Sequence, residues 1–303
     1  MDPYVRQLCF EDLDGGVIQE LICLARDEDL SGYGLRGRKR GEGIDLSASA
    51  LSPTSLGDYE IRAREPMVVC GLGLLPIILE AYGWAGESEV LRGDGEAVQA
   101  GTPLAVLRGS GGGLLGAERV LLNFLQLLSG IATLTRRYVL ELGDSRTKLL
   151  DTRKTPPAYR FLAKWAFACG GGYNHRFGLW DRVMLKDNHL AGSGKVTGDG
   201  LRDLILEVKR RNPGVPVEVE IDSPGQLAAV IEAGAEVVLF DNFRNEQIEW
   251  AVAECGGRCL TEASGGIVLE RLASLAGMGL DFISTGAPIH RARWVDIGMD
   301  FAG

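Results

Sequence analysis

From residue 148 to 283 the chain alternates short apolar runs with amphipathic stretches. The apolar runs are Lys148-Leu149-Leu150, Val183-Met184-Leu185, Val217 to Ile221, Val237-Val238-Leu239-Phe240, Arg258-Cys259-Leu260 and Phe282-Ile283. Between them, apolar residues at three- and four-residue spacing predict helices over 159–169, 201–211, 224–233, 246–254 and 268–276. Strand and helix in strict alternation mean βαβ units and a parallel sheet. Six such strands suggest a barrel of the TIM kind, short of eight strands; an open doubly wound sheet has the same periodicity. Upstream, Val120, Leu121, Phe124, Leu125, Leu128 and Ile131 mark a helix over 117–142, and Leu122 and Leu127 on its other faces predict that it is buried. The first 117 residues keep no steady period. Strand-like runs at 58–64 and 66–69, a helical stretch at 74–82 and a turn-rich segment at 94–101 read as a smaller α+β domain. Gly109-Ser110-Gly111-Gly112-Gly113 looks like flexible punctuation after it. The expected organisation is residues 1–117 as this domain and 118–287 as the barrel, with 288–303 packing back on the first.

Candidate chemistry lies where the apolar runs end. Asp151, Thr152, Arg153 and Lys154 follow the first, and Lys186, Asp187, Asn188 and His189 the second. Glu220 lies within the third, Asp241 and Asn242 follow the fourth, Glu262, Ser264, Gly265 and Gly266 the fifth, and Ser284, Thr285 and Gly286 the sixth. Strand ends are often polar because they enter loops, but cations and carboxylates on four of them are the expected mark of an active site at the C-terminal face of a barrel. Arg153, Lys154, Arg176 and Lys186 suit carboxylates and phosphates, which they bind through charge-assisted hydrogen bonds. Glu220 and Asp241 could hold Mg²⁺ or sugar hydroxyls. The glycine-containing turns at 264–266 and 285–286 could cradle a phosphate, although a plain turn explains either one alone.

Composition removes several classes. The net charge of −9 argues against a nucleic-acid surface. The basic run Arg36-Gly37-Arg38-Lys39-Arg40 is the local exception, read as a solvated loop. No uninterrupted run of about 18 apolar residues predicts a membrane span, and the acidic N-terminus does not resemble a signal peptide, so a cytoplasmic enzyme is expected. The six cysteines are scattered, and the one close pair, Cys255 and Cys259, has three residues between its members, a poor zinc spacing. His175, His189 and His290 lack zinc-site spacing as well.

Taken together these segments resemble the quinolinate phosphoribosyltransferase family. They are Glu118-Arg119-Val120-Leu121-Leu122-Asn123 with Ser129-Gly130-Ile131-Ala132-Thr133, Asp151-Thr152-Arg153-Lys154-Thr155, Gly170-Gly171-Gly172-Tyr173-Asn174-His175-Arg176, Lys186-Asp187-Asn188-His189, Val217-Glu218-Val219-Glu220, Leu239-Phe240-Asp241-Asn242-Phe243 and Glu262-Ala263-Ser264-Gly265-Gly266-Ile267. They run in family order, and the resemblance covers roughly residues 50 to 300. It implies a mixed α/β N-terminal domain followed by an incomplete TIM-like barrel, in a homodimer or higher oligomer with shared active sites. It implies a decarboxylating phosphoribosyl transfer in NAD biosynthesis, with quinolinate and phosphoribosyl pyrophosphate as substrates and Mg²⁺ as cofactor. Arg119, Thr152, Arg153, His175, Arg176 and Lys186 would surround quinolinate, with Arg119 supplied by the neighbouring subunit. Lys154, Lys186, Glu220, Asp241, Ser264, Gly265, Gly266, Thr285, Gly286 and Ala287 would face phosphoribosyl pyrophosphate. Lys154, Glu220 and Asp241 would be catalytic, and Glu220 and Asp241 would hold the metal, directly or indirectly. The chain departs from the family pattern in three places. Pro156-Pro157-Ala158 replaces Thr-Pro-Gly, Ala287-Pro288-Ile289-His290 replaces Ala-Leu-Thr-His, and residues 32–43 look like an insertion. A pyrophosphorylase-like protein of the molybdenum-transport branch and a non-catalytic anion binder on the same fold are the competing readings.

Overall fold

The computed structural model describes residues 4–41, 43–47 and 56–302. By their contacts these fall into two compact units: Leu8–Leu134 with Ala168–Gly171 and Ala292–Gly303, and Met1–Gln7 with Thr135–Phe167 and Gly172–Arg291.

The first unit carries an antiparallel sheet of β1 (Leu56–Ala63), β3 (Glu87–Val90), β5 (Pro103–Ser110) and β12 (Ile297–Phe301), in the order β12-β1-β5-β3. β12 thus returns the C-terminal segment to this sheet, and Tyr59 opposite Phe301 makes an edge-to-face ring contact with centroids 5.4 Å apart. The predicted strand over 66–69 is only the two-residue β2 (Met67–Val68), paired with β4 (Ala97–Val98). Helix α1 (Gly15–Ser31) is capped by Asp14, whose carboxylate accepts from the Val17 N–H, and it ends at a left-handed Gly32. The basic segment after it is exposed from Arg36 to Arg40, and Arg40 also reaches a buried partner. Arg40 lies 3.5 Å from the buried Asp27 carboxylate and over the Tyr33 ring, and Glu42 alone of residues 32–43 lies outside the described residues.

Two expectations fail here. Helix α3 runs Gly111–Glu141, so the three glycines read as punctuation are its first turn. Glycine costs about 1 kcal/mol per helical position against alanine, and the burial of Leu114, Ala117, Leu121 and Leu128 outweighs it. The units also divide inside this helix, after Leu134, and not at 117. By length and composition α3 could cross a membrane, with mean hydropathy 1.3 over its most apolar 18 residues, but 67% of that window is buried within the fold. It is therefore a core helix.

The second unit holds the parallel sheet. Its strands are β6 (Lys148–Leu150), β7 (Val183–Leu185), β8 (Val217–Ile221), β9 (Val237–Asp241), β10 (Leu260–Ser264) and β11 (Phe282–Ser284), in the order β6-β11-β10-β9-β8-β7. Consecutive strands are neighbours except β6 and β7, which stand at the two edges. The architecture is an α/β barrel left incomplete between them. Beside β6, Tyr173 continues the pairing through N–H and C=O bonds to Leu149 and Asp151, and the Asn174 N–H donates to the Arg6 carbonyl. That contact draws residues 4–7 into this unit, where the sequence placed them in the other. Parallel register sets Ser264 beside Asp241, Leu239 beside Glu220 and Ser284 beside Leu150. The C-terminal ends therefore present their side chains at one level.

Candidate active site

Period-two alternation stacks the strand side chains in layers. In β8, Val-Glu-Val-Glu-Ile aims Glu218 and Glu220 to one side, Glu220 nearer the C-terminal end. β10 repeats this with Glu262 and Ser264. The upper layer opens into a cavity of about 400 Å³, lined by Glu220, Asp241, Ser264 and Ser284 from the strands and by Thr152, Arg153, Lys154, His175, Arg176 and Lys186 from the loops. Nine residues assigned from sequence thus share one cavity. Gly265, Gly266, Thr285, Gly286 and Ala287 are not in its lining, but they continue directly from Ser264 and Ser284. The Ala287 N–H already donates to Thr285 Oγ1 at 3.2 Å. Gly265 has φ +83°, and a Cβ there would lie 2.3 Å from Asn242 Oδ1, so close approach of the β9 and β10 loops requires glycine. Arg119 is not in this cavity. It is exposed on α3 in the first unit and lines another hollow with Glu28 and Asp29.

The electrostatics are one-sided. Four cations face two carboxylates, and one of those carboxylates is committed: Lys186 Nζ lies 2.7 Å from Glu220 Oε2. Burial raises the Glu220 pKa, Lys186 opposes this, and nearby Asp241 adds to it. Burial also disfavours the Arg176 charge, and Arg153 adds like-charge repulsion. The buried Arg153 Nε has no hydrogen-bond partner. A site with surplus, desolvated positive charge and a free guanidinium donor is built for a multiply charged anion.

Beneath this layer lies a cluster that the sequence assignment missed. His175 Nε2 is 3.2 Å from Glu218 Oε1 and 3.5 Å from Glu262 Oε1, and Arg182 Nη2 is 3.1 Å from Glu218 Oε2. All four residues are buried. His175 with two carboxylates is a metal-like donor set, but Arg182 already supplies the cation. Burial opposes the imidazolium, yet Glu218 and Glu262 outweigh it and push the His175 pKa up to about 9. The Arg176 N–H, 2.8 Å from Nδ1, works the other way, since a protonated nitrogen cannot accept, and so does Arg182 Nη2, a cationic group 3.1 Å from Nδ1 and 3.2 Å from Nε2. Leaving that amide unpaired costs about 1–3 kcal/mol. Leaving one of two buried carboxylates without a cation costs about 3–5 kcal/mol, so the charged ring prevails. His175 thus faces downward into this cluster at the floor of the cavity.

A second buried pair fixes the first loop. Lys164, in α4 (Arg160–Cys169), bonds the Asp151 carboxylate and donates to the His175 carbonyl at 3.1 Å. Asp151 also accepts from Asn174 Nδ2 at 2.8 Å and from the His175 N–H at 2.9 Å. Asp151 immediately precedes Thr152-Arg153-Lys154, and the Lys154 N–H donates to Thr152 Oγ1. One buried carboxylate therefore ties the loop carrying two site cations to the loop carrying His175 and Arg176. Glu218 was visible in Val-Glu-Val-Glu as a neighbour of Glu220 on the same face, and Lys164 as a lone charge in an apolar helix. Neither signal named a partner.

The model of the quinolinate phosphoribosyl transferase C-terminal domain matches residues 131–300, and that of its N-terminal domain matches residues 45–129. A probable nicotinate-nucleotide pyrophosphorylase (carboxylating) of Bacillus subtilis is 39% identical over 261 residues, covering 84% of this chain and 87% of its own. The nicotinate-nucleotide pyrophosphorylase (carboxylating) of Mycobacterium leprae is 39% identical over 264 residues, covering 85% and 91%. The solved structure of the nicotinate-nucleotide pyrophosphorylase from Francisella tularensis superposes with a TM-score of 0.87 at 31% identity, covering 96% of this chain and 98% of that one.

Proposed function

This chain belongs to the quinolinate phosphoribosyltransferase family, and we infer that it is a working pentosyltransferase of NAD biosynthesis. Quinolinate and phosphoribosyl pyrophosphate become nicotinate mononucleotide, carbon dioxide and pyrophosphate. The observation that carries this reading is the cation surplus of the cavity, with Arg176 desolvated and Arg153 Nε unpartnered. A dicarboxylate and a pyrophosphate repel each other in water, and fixed guanidinium and ammonium groups offset that repulsion while aligning the reacting atoms.

Arg153, Arg176 and Lys186 would take the two carboxylates of quinolinate, with Thr152 and the charged His175 beside them. Lys154 and Ser264 would receive the phosphate groups, with Gly265, Gly266, Thr285, Gly286 and Ala287 shaping the turns around them. The pyridine nitrogen attacks the anomeric carbon as pyrophosphate departs. Glu220 and Asp241 would stabilise the positive charge that develops on the sugar. When the adjacent carboxylate leaves as carbon dioxide, its bonding pair stays on the ring carbon, stabilised by the neighbouring cationic nitrogen until that carbon takes up a proton from solvent, so the final step draws mainly on the substrate's own charge.

The oxygen-only carboxylates of Asp241 and Glu220 fit Mg²⁺, although Lys186 occupies one Glu220 oxygen. Asp241 and the free oxygen of Glu220 would hold the ion, which when bound neutralises pyrophosphate charge. We place Arg119 in the active site of a partner subunit in a symmetric dimer. Six free cysteines suit the reducing cytoplasm.

The deciding assay measures quinolinate-dependent release of carbon dioxide and pyrophosphate. A monocarboxylate would leave a buried cation unpaired, at about 1.5–3 kcal/mol, so nicotinate should be at least roughly tenfold poorer. No release with quinolinate, or equal turnover of nicotinate, would overturn the assignment.

A further inference from the structure

At the opposite end of the barrel strands from the catalytic cavity there is a second hollow of about 490 Å³, with Cys255 and Cys259 both in its wall. Within a continuous helix, residues four apart hold their Cβ atoms about 5–6 Å from each other, too far for the 3.5–4.5 Å of a disulfide. The chain here is not a continuous helix. The helix Asn245–Cys255 stops at Cys255, and Gly256 and Gly257 both take left-handed conformations, with φ +54° and +75°. Two such residues in succession turn the backbone sharply and fold Cys259 back toward Cys255, so that both side chains line the same hollow and each thiol perturbs the other. Cys255 is 1% exposed, whereas Cys259 is half-buried, at the wall of the hollow.

We propose that Cys255 and Cys259 form a dithiol modification site that undergoes thiol–disulfide exchange with low-molecular-weight disulfides. Two effects single out Cys259 as the attacking group. Cys259 is the half-buried member at the wall of the hollow, whereas Cys255 is 1% exposed, and the neighbouring Cys255 and Arg258 hold its thiol below the ordinary value against the effect of burial. Cys255, beside Cys259 and desolvated, is held above it. The Cys259 thiolate attacks one sulfur of the small disulfide, forming a mixed disulfide and expelling one thiolate. Cys255 then loses its proton to that thiolate and attacks Cys259 Sγ, expelling the second thiolate, which takes up the proton that Cys259 shed. The protein loses two hydrogens and two electrons, and the small disulfide becomes two thiols. Ser264 lies four residues along β10 from Leu260, so the modified site and the catalytic cavity are separated by about 13 Å of strand at 3.3 Å per residue.

Cys9 provides the internal control. It is exposed, but hydrogen bonds with Asp12 and Glu11 raise its pKa and reduce its thiolate fraction. Reactivity governed by exposure would favour Cys9; reactivity governed by the pair favours Cys259. The experiment treats native protein with oxidised glutathione near neutral pH, quenches with acid and maps every cysteine by mass spectrometry over time. The expected product is an internal Cys255–Cys259 disulfide, formed on the order of tenfold faster than the adduct on Cys9. Cys255→Ser should trap glutathione on Cys259, and Cys259→Ser should leave Cys255 unmodified. Should Cys255→Ser fail to fold, Cys259→Ser and the wild-type time course decide. Faster reaction at Cys9, a persistent glutathione adduct on wild-type Cys259, or no bond between the two cysteines would overturn the proposal.

Discussion

Lys164→Met tests whether the buried pair beneath the Arg153 loop is what holds it. Methionine matches the aliphatic stem of lysine, so the change removes charge with little change in volume. It leaves the His175 carbonyl without its Lys164 donor, and Asp151 with two hydrogen bonds, from Asn174 and the His175 N–H, but no cation. Breaking a buried ion pair at one partner costs about 3–5 kcal/mol. Asp151 can limit that cost by taking up a proton. Starting from an ordinary pKa of 3.8, protonation at about pH 7 costs about 4.4 kcal/mol at 1.36 kcal/mol per unit. The expected loss is therefore about 3–4 kcal/mol, a large share of a typical stability of about 5–15 kcal/mol. The sign of its pH dependence follows. Burial already raises the folded-state pKa of Asp151 above its unfolded value, and loss of Lys164 raises it further. The folded variant then binds a proton that the unfolded chain does not, so the deficit should shrink as pH falls, by up to about 1.4 kcal/mol per unit. Urea unfolding of wild type and variant at about pH 5, 6 and 7 measures this, and adding Asp151→Asn should restore most of the loss. A deficit below about 1 kcal/mol near pH 7, or one that does not grow with pH, would refute the reasoning.

Four further outcomes can be checked. The His175 pKa, held up to about 9 from 6.5, contributes stability that is complete below about pH 6.5 and lost as pH rises through 9. The contribution is on the order of 3 kcal/mol; it should vanish in His175→Gln, and an imidazole titrating near 6.5 by NMR would contradict it. Glu220→Gln and Asp241→Asn should lower kcat/KM on the order of 10²-fold, with quinolinate affinity much less affected, and near-wild-type kinetics in both would remove them from the mechanism. Mixing inactive Arg119→Ala with inactive Glu220→Ala, dissociated and reassembled together, should restore roughly one quarter of wild-type sites if Arg119 crosses to a partner subunit; a mixture in which hybrid dimers form but stay inactive places Arg119 within its own chain. Ala158 sits at φ +60°, where the family pattern has glycine. The left-handed conformation costs about 1–2 kcal/mol and the extra freedom of unfolded glycine about 0.5–1, so Ala158→Gly should stabilise by about 0.5–1 kcal/mol in urea unfolding, and an unchanged midpoint would count against strain there.

What could be read from sequence was local. Each parallel strand showed itself as a few apolar residues ending in polar or charged ones, because the buried part and the end that opens to the cavity lie on the same short segment. The candidate residues Arg153, Lys154, Lys186, Glu220 and Asp241 accordingly lie at or just beyond the ends of their strands and, with Arg176 from a loop, line one cavity. What escaped depends on partners far apart in the chain. Residues 4–7 join the barrel unit through Asn174, a pairing that leaves no periodicity in either segment. The glycines at the start of α3 form helix because α3 is buried, which their intrinsic preference opposes.

The buried charges show the same limit in energetic terms. Sequence displays Glu218, Glu262, Arg182 and His175 as four separate ionisable residues, each of which would be costly to bury alone. Only the folded chain brings them within 3.1–3.5 Å, two positive against two negative. That balance matters for the cavity above it. Arg176 is attracted by Glu218 and repelled by Arg153 and Arg182, so the deep Glu218 offsets part of the repulsion that this desolvated guanidinium meets from its neighbours. A site with only its upper layer would have to hold its cations against one another. In the layered site the lower carboxylates stabilise the cations from below, and the upper face keeps its surplus positive charge for the anions it binds.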